Sequence, residues 1–204
     1  TRIDLPLNQY EVVMDRFRWF MDTDEIALES DRTYPEERII EAAESRVKSN
    51  FYSLHPQQDG LHFLSPRARY DLVEAQVSCQ DVEFLELADA QVIPDSGRVT
   101  IKRFAALEPL EHATVIANRV TQYHRIDDAN ILIEGRMDFK GSGTYIYKDL
   151  NGSPFEITFS EVFVDGGGET RAKGMVVVDD DFTLSPAFSY AGEVHLKSTE
   201  PLLR

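Results

Sequence analysis

The 204-residue chain carries 36 acidic side chains against 21 Lys and Arg, a formal charge of −15, with 42% hydrophobic residues and one cysteine. A surface this acidic repels phosphate backbones and anionic headgroups, which are bound by clustered Lys and Arg, so nucleic acid is not expected as a partner. The apolar fraction suffices for a sizeable core, no run of about 18 apolar residues offers a transmembrane segment, and the expectation is a single mostly-β domain over residues 1–204.

Residues 12–29 alternate. Phe17, Trp19 and Met21 share one face, Arg16, Arg18 and Phe20 the other, and Asp22-Thr23-Asp24 breaks the run before Ile26 and Leu28. That pattern predicts a strand, a turn and a second strand. Over residues 35–48 Pro35 suits a first helical position, Glu36 and Glu37 follow, and Ile39, Ile40, Ala43 and Val47 recur at helical spacing, which predicts one short helix. Beyond Asn50, turn signals arrive every few residues. Phe51 to Leu54 and Leu61 to Leu64 flank a His-Pro-Gln-Gln-Asp-Gly loop, a hairpin with a long connection.

Cys79, within Val77-Ser78-Cys79-Gln80, reads as a small buried strand residue; a lone cysteine excludes an intramolecular disulfide and a multi-cysteine zinc site. Thr144 to Lys148 and Phe155 to Phe159 flank Asp149-Leu150-Asn151-Gly152-Ser153-Pro154 and form the clearest hairpin. Two fragments recur along this half. One is Ala, polar, β-branched, at Ala75-Gln76-Val77, Ala90-Gln91-Val92, Ala113-Thr114-Val115 and Ala129-Asn130-Ile131. The other is a Gly leading into an alternating strand, at Gly97, Gly135 and Gly192. This rhythm predicts a mainly β fold, an elongated stacked or folded-over antiparallel sheet of solenoid-like character, in which each rung buries its apolar face on its neighbours. A β-sandwich or open barrel needs strands and turns at similar spacing and is the alternative. The first residue is not Met and the chain stops soon after Glu193-Val194-His195-Leu196, which reads as a segment cut from a longer polypeptide.

The segments Ser53 to Asp59, Phe63-Leu64-Ser65-Pro66, Tyr70-Asp71, Ala88 to Asp95 and Asp181-Phe182-Thr183-Leu184-Ser185-Pro186 together resemble a family of very large uncharacterised proteins of Bacteroidetes. The likeness spreads over most of residues 50–204 and consists of turns and strands without a catalytic signature. It implies a building block of a long envelope or secreted protein and no assigned activity. The rung-like rhythm is also similar to OstA-type lipopolysaccharide-transport β domains, which would imply an apolar groove. A shared rhythm does not carry a shared function.

Catalytic patterns are missing from the sequence. His55, His62, His112, His124 and His195 form no H-x-H or H-x-x-x-H pair. His55 reads as a turn residue, and His62 and His195 as solvent-facing strand residues. No G-x-S-x-G elbow occurs; Ser53, Ser65, Ser142 and Ser185 read as turn-side serines whose hydroxyls cap backbone groups. Lys140-Gly141-Ser142-Gly143-Thr144 lacks the order and following helix of a phosphate-binding loop and reads as the flexible start of a strand. Asp22-Thr23-Asp24-Glu25 and Asp179-Asp180-Asp181 offer oxygen ligands but match no calcium loop. Tyr145, Tyr147, Phe155 and Phe159 concentrate in one hairpin; they read either as cross-strand packing or as an exposed ligand-binding stripe for a sugar or apolar molecule. The expectation is a noncatalytic structural or interaction module with no cofactor and no metal, partnered by other segments of its parent protein or by envelope components. A lipid carrier and a carbohydrate-binding module, with lipid or glycan as ligand, are the alternatives.

Overall fold

The computed structural model describes residues 1–34, 49–149, 151–177, 182–185 and 188–204. The helix expected over residues 35–48 and the acids at 179–181 lie outside the described residues.

The chain opens with the hairpin β1 (Arg2–Leu5) and β2 (Tyr10–Val13) and, after Met14 and Asp15, enters a second hairpin, β3 (Arg16–Phe20) and β4 (Glu25–Glu29). β5 (Phe51–Ser53) and β6 (His62–Phe63) pair with each other, as do β7 (Arg67–Asp71) and β8 (Gln76–Gln80), then β9 (Leu85–Leu87) and β10 (Ala90–Ile93). β11 (Val99–Ile101) precedes the long meander β12 (Leu110–Ala117), β13 (His124–Gly135), β14 (Asp138–Lys148), β15 (Pro154–Val164) and β16 (Thr170–Val176). A short ribbon, β17 (Thr183–Ser185) and β18 (Phe188–Ser189), leads to β19 (Gly192–Lys197).

Among the described residues these strands form antiparallel sheets of four (β1-β2-β5-β6), five (β11-β8-β7-β4-β3) and eight strands (β19-β16-β15-β14-β13-β12-β10-β9), plus the ribbon. The eight-stranded sheet is curled into half a barrel. Its edge β9 lies beside β6, so the four- and eight-stranded sheets follow one another. The chain passes back and forth to the five-stranded sheet at short corners: Met14 and Asp15, then residues 64–66, 81–84 and 94–98. Corner side chains Met14, Leu64, Ser65 and Val82 are buried, and inward residues of all three sheets join one core. The mainly β, folded-over antiparallel architecture read from the sequence is the one the chain adopts.

The Ala repeat marks core positions. Ala75, Ala90, Ala113 and Ala129 and their partners two residues on, Val77, Val92, Val115 and Ile131, have no exposure, while the residues between them face outward or sit half-buried. Each fully buried Val or Ile contributes roughly 1.5–3 kcal/mol relative to exposure. Ala113 and Ala129 lie opposite each other, so two copies of the repeat meet across neighbouring strands.

One sequence reading is corrected. Lys140 to Thr144 is not a flexible strand start but the middle of β14. β12 and β13 bulge where His112 (φ 53°) and Asp128 (φ 48°) adopt left-handed backbone, and the displaced chain presses on β14. A Cβ at Gly141 would lie 1.9 Å from Asn130 O, and one at Gly143 would lie 2.6 Å from an Ile126 methyl. The glycines there answer close backbone approach at a bulge, and Ser142 stands within the strand, away from any turn.

Candidate functional site

The aromatic hairpin brings its four residues onto one face. β14 and β15 pair Tyr145 with Ile157, Tyr147 with Phe155 and Gly143 with Phe159, and residues directly opposite share a face. Phe159 is fully buried; Tyr145, Tyr147 and Phe155 are half-buried against the core. Phe182, just ahead of β17, roofs them: its ring centroid lies 5.1 Å from Tyr147 and 5.2 Å from Phe155, with Tyr190 at 6.4 Å. Tyr145 tilts onto Phe159 at 5.6 Å. The rings spend their faces on one another, the geometry of aromatic pairs in a core.

Beside Tyr145, at the start of β13, sits His124, with no exposure. Its Nε2 lies 2.6 Å from the carbonyl of Glu200 and its Nδ1 lies 3.1 Å from Tyr145 Oη. A carbonyl only accepts, so Nε2 carries the proton and Nδ1 accepts from the tyrosine hydroxyl. Burial holds the imidazole pKa below its ordinary value and raises that of the Tyr145 phenol. Both groups are neutral near pH 7, a pair that fastens the C-terminal turn to β13. The tail is further held by two hydrogen bonds between His195 and Arg204 and by Leu203 packed on the core.

A second polar knot joins the two edges of the half barrel. Asp89, in the turn between β9 and β10, accepts from the Thr170 N–H (3.0 Å) and hydroxyl (2.5 Å) through Oδ1, and from the Ser198 hydroxyl (2.5 Å) through Oδ2. Thr170 opens β16 and Ser198 follows β19, so one carboxylate spans from one edge of the curl to the other. Asn8 does comparable work between sheets. Fully buried in the β1–β2 turn, its Nδ2 donates toward Ala75 O (2.7 Å), Lys102 O (3.0 Å) and Ile101 O (3.4 Å). Gln58 accepts from Tyr10 Oη (3.2 Å) and donates to Ala105 O (2.7 Å).

An open cleft of about 660 Å³ lies at the corners, lined by Tyr34, Pro66, Val82, Glu83, Pro94 and Gly97 among others. Tyr34 Oη donates to Leu64 O (2.6 Å) and accepts from the Glu83 N–H (3.1 Å), and burial pushes its phenol up to about 12. The polar atoms of this tyrosine are thus spent within the wall.

The remaining sequence candidates resolve locally. Cys79 is fully buried in β8, where burial raises its thiol pKa and removes the thiolate a nucleophile needs. His55 accepts the Gln57 N–H at 3.2 Å in a single 3₁₀ turn, and His195 is exposed. His112 pairs with Asp128 across the bulge, which raises its pKa through the hydrogen bond and the adjacent charge. Asp22 and Asp24 stand exposed in the β3–β4 turn, and Glu25 pairs with Arg69 at 3.1 Å. Among the described residues no three His, Cys, Asp or Glu side chains converge on one point, and no helix is long and apolar enough to cross a membrane.

His124, Asp89, Asn8 and Gln58 carry the internal polar network; in the sequence His124 enters only as a candidate metal ligand, and the other three carry no expectation of their own. For His124 a signal exists: it keeps step with Ile126, and after the bulge the inward phase continues at Ala129, Ile131 and Ile133. Asp89 and Asn8 sit in turns, where Asp and Asn are ordinary, so only the tertiary fold distinguishes them. No family model, curated protein or solved structure matches the chain.

Proposed function

We propose that the chain is a noncatalytic structural and interaction module of a larger envelope or secreted β protein, partnered by other segments of that protein. The observation carrying this reading is the use of its polar side chains: Asp89, His124, Asn8 and Gln58 each bind backbone or hydroxyl groups on a distant part of the chain. Groups spent in this way hold a shape. A catalytic site requires the opposite, a nucleophile or acid–base pair exposed in a cleft with its pKa matched to its task. The curled sheet also supports a scaffold over a lipid carrier, since Ile126, Ile131, Phe139 and Phe159 point inward with no exposure.

The test is a broad hydrolase screen of the purified chain combined with native mass spectrometry. The expected result is no turnover and a mass equal to that of the polypeptide. Turnover abolished by a single Asp or Glu substitution overturns the reading in favour of an enzyme, and a retained lipid lost on denaturation overturns it in favour of a carrier.

A further inference from the structure

The core-facing side of the five-stranded sheet runs out from under its cover at β3. Phe17 lies opposite Leu28 and Trp19 opposite Ile26, so both aromatics point to the core side of the sheet. Leu28 is 2% exposed, whereas Phe17 is 66%, Trp19 52% and the following Met21 74% exposed. β3 is also the last strand of its sheet, and none of the described residues pairs with its outer edge. An edge strand with open main-chain groups and a bare apolar stripe is a template for another strand.

We propose that β3 is the contact between two copies of this chain, which pair antiparallel about a two-fold axis through Trp19 and continue the five-stranded sheet from one copy into the other. The inference rests on the interaction-module reading above and names the partner. The sequence of the strand selects this register. With Trp19 facing Trp19 of the partner subunit, Arg18 faces the partner's Phe20, and Phe17 lies toward the partner's Met21 at the start of the β3–β4 turn. The apolar stripe becomes continuous. Arg18 meets a ring of the kind it already approaches within its own strand, 6.0 Å from the centroid of Phe20. Centring the axis on Arg18 would oppose two guanidinium groups. The strand also answers the problem of net charge: two copies at −15 repel, yet β3 holds no acid, and Arg18 stands on it apart from the Arg16 pairs with Glu29 and Asp31.

Trp19 is the only tryptophan, so its emission reports this contact alone. The experiment is sedimentation of the intact chain from about 1 µM to about 1 mM, the range suited to a small interface, with tryptophan emission recorded on the same samples. The expected result is a doubling of mass accompanied by a blue shift, with Trp19→Lys weakening association at least tenfold and leaving the far-UV circular dichroism unchanged. Phe104→Lys, at another exposed aromatic (70%), should leave association intact and controls for general stickiness. A monomer throughout the range, a doubling of mass without a shift, or equal loss in both variants overturns the proposal. Since none of these outcomes involves turnover or a retained ligand, a failure here is distinct from a failure of the module reading.

Discussion

His124 and Gly141 show how much of this fold is decided by single side chains. His124 is neutral in the folded chain because burial depresses its pKa below the ordinary 6.5, while the unfolded chain retains that ordinary value. As pH falls through 6.5 the unfolded state takes up the proton first. The contribution of this group to stability is therefore complete above 6.5 and declines as pH drops toward the folded value. The expected outcome is that urea midpoints of the native chain fall between pH 8 and pH 5 relative to those of His124→Phe, a comparison in which the surface carboxylates common to both cancel. At pH 8 the variant itself should be less stable by about 1–2 kcal/mol, because Tyr145 Oη and Glu200 O lose their partner in a half-buried place. Gly141 tests sterics instead. Its absent Cβ would sit 1.9 Å from Asn130 O, whereas nothing lies within 4 Å of one at Gly166. Gly141→Ala should cost about 2–4 kcal/mol by forcing β13 and β14 apart, and Gly166→Ala should stay within about 0.5 kcal/mol, both read from chemical denaturation.

Element by element, legibility follows the range of the interaction that defines each feature. Alternation within a strand is local, so the hairpins at 144–159 and 51–64 could be read directly, as could the strand, turn, strand within the run 12–29, although Val12 and Val13 belong to β2 and Met14 and Asp15 turn the corner before β3, and the Ala repeat marked positions that are all fully buried. The bulge between β12 and β13 could not, because it is fixed by two non-glycine residues in left-handed conformation whose cause lies in packing; the glycines of β14 were misread as a consequence. The aromatic stripe left two readings open for a related reason. Phe182, which roofs Tyr147 and Phe155, comes from a segment far along the chain, and strand alternation carries no information about it. Asp89 is the strongest case of a long-range element contact, joining the β9–β10 turn to the start of β16 and the end of β19. Asp89→Ala leaves the buried Thr170 and Ser198 donors without an acceptor, a loss of about 1–3 kcal/mol. Native-state hydrogen exchange should show the loss of protection concentrated in β9, β16 and β19 at that end of the curl, with β3, β4 and β7 unchanged. Uniform loss across all strands would mean that the carboxylate is merely one hydrogen-bonding group among many.

On the scale of the molecule, a chain of 36 acids and 21 bases folds around one core, and two electrostatic effects of opposite sign compete. Ion pairs such as Arg16 with Glu29, Lys102 with Glu108 and Lys140 with Glu134 favour the folded state, but their side chains are mostly exposed and such pairs contribute little. The net charge of −15 disfavours compaction through long-range repulsion among like charges, whose separation grows when the chain unfolds. Salt screens both, and the two effects predict opposite responses. Raising NaCl from about 50 mM to about 500 mM shortens the screening length from about 14 Å to about 4 Å, which removes most of the repulsion between distant carboxylates and leaves contacts at hydrogen-bond distance less affected. The midpoint of thermal unfolding should therefore rise. A gain of about 1 kcal/mol corresponds to about 2–4 °C for a chain of this size. Chloride is the anion to use, since sulfate would stabilise by exclusion from the surface independently of charge. A midpoint that falls with NaCl would place the ion pairs above the net charge, and the acidic surface would then be a network that holds the folded sheets together instead of a load they carry.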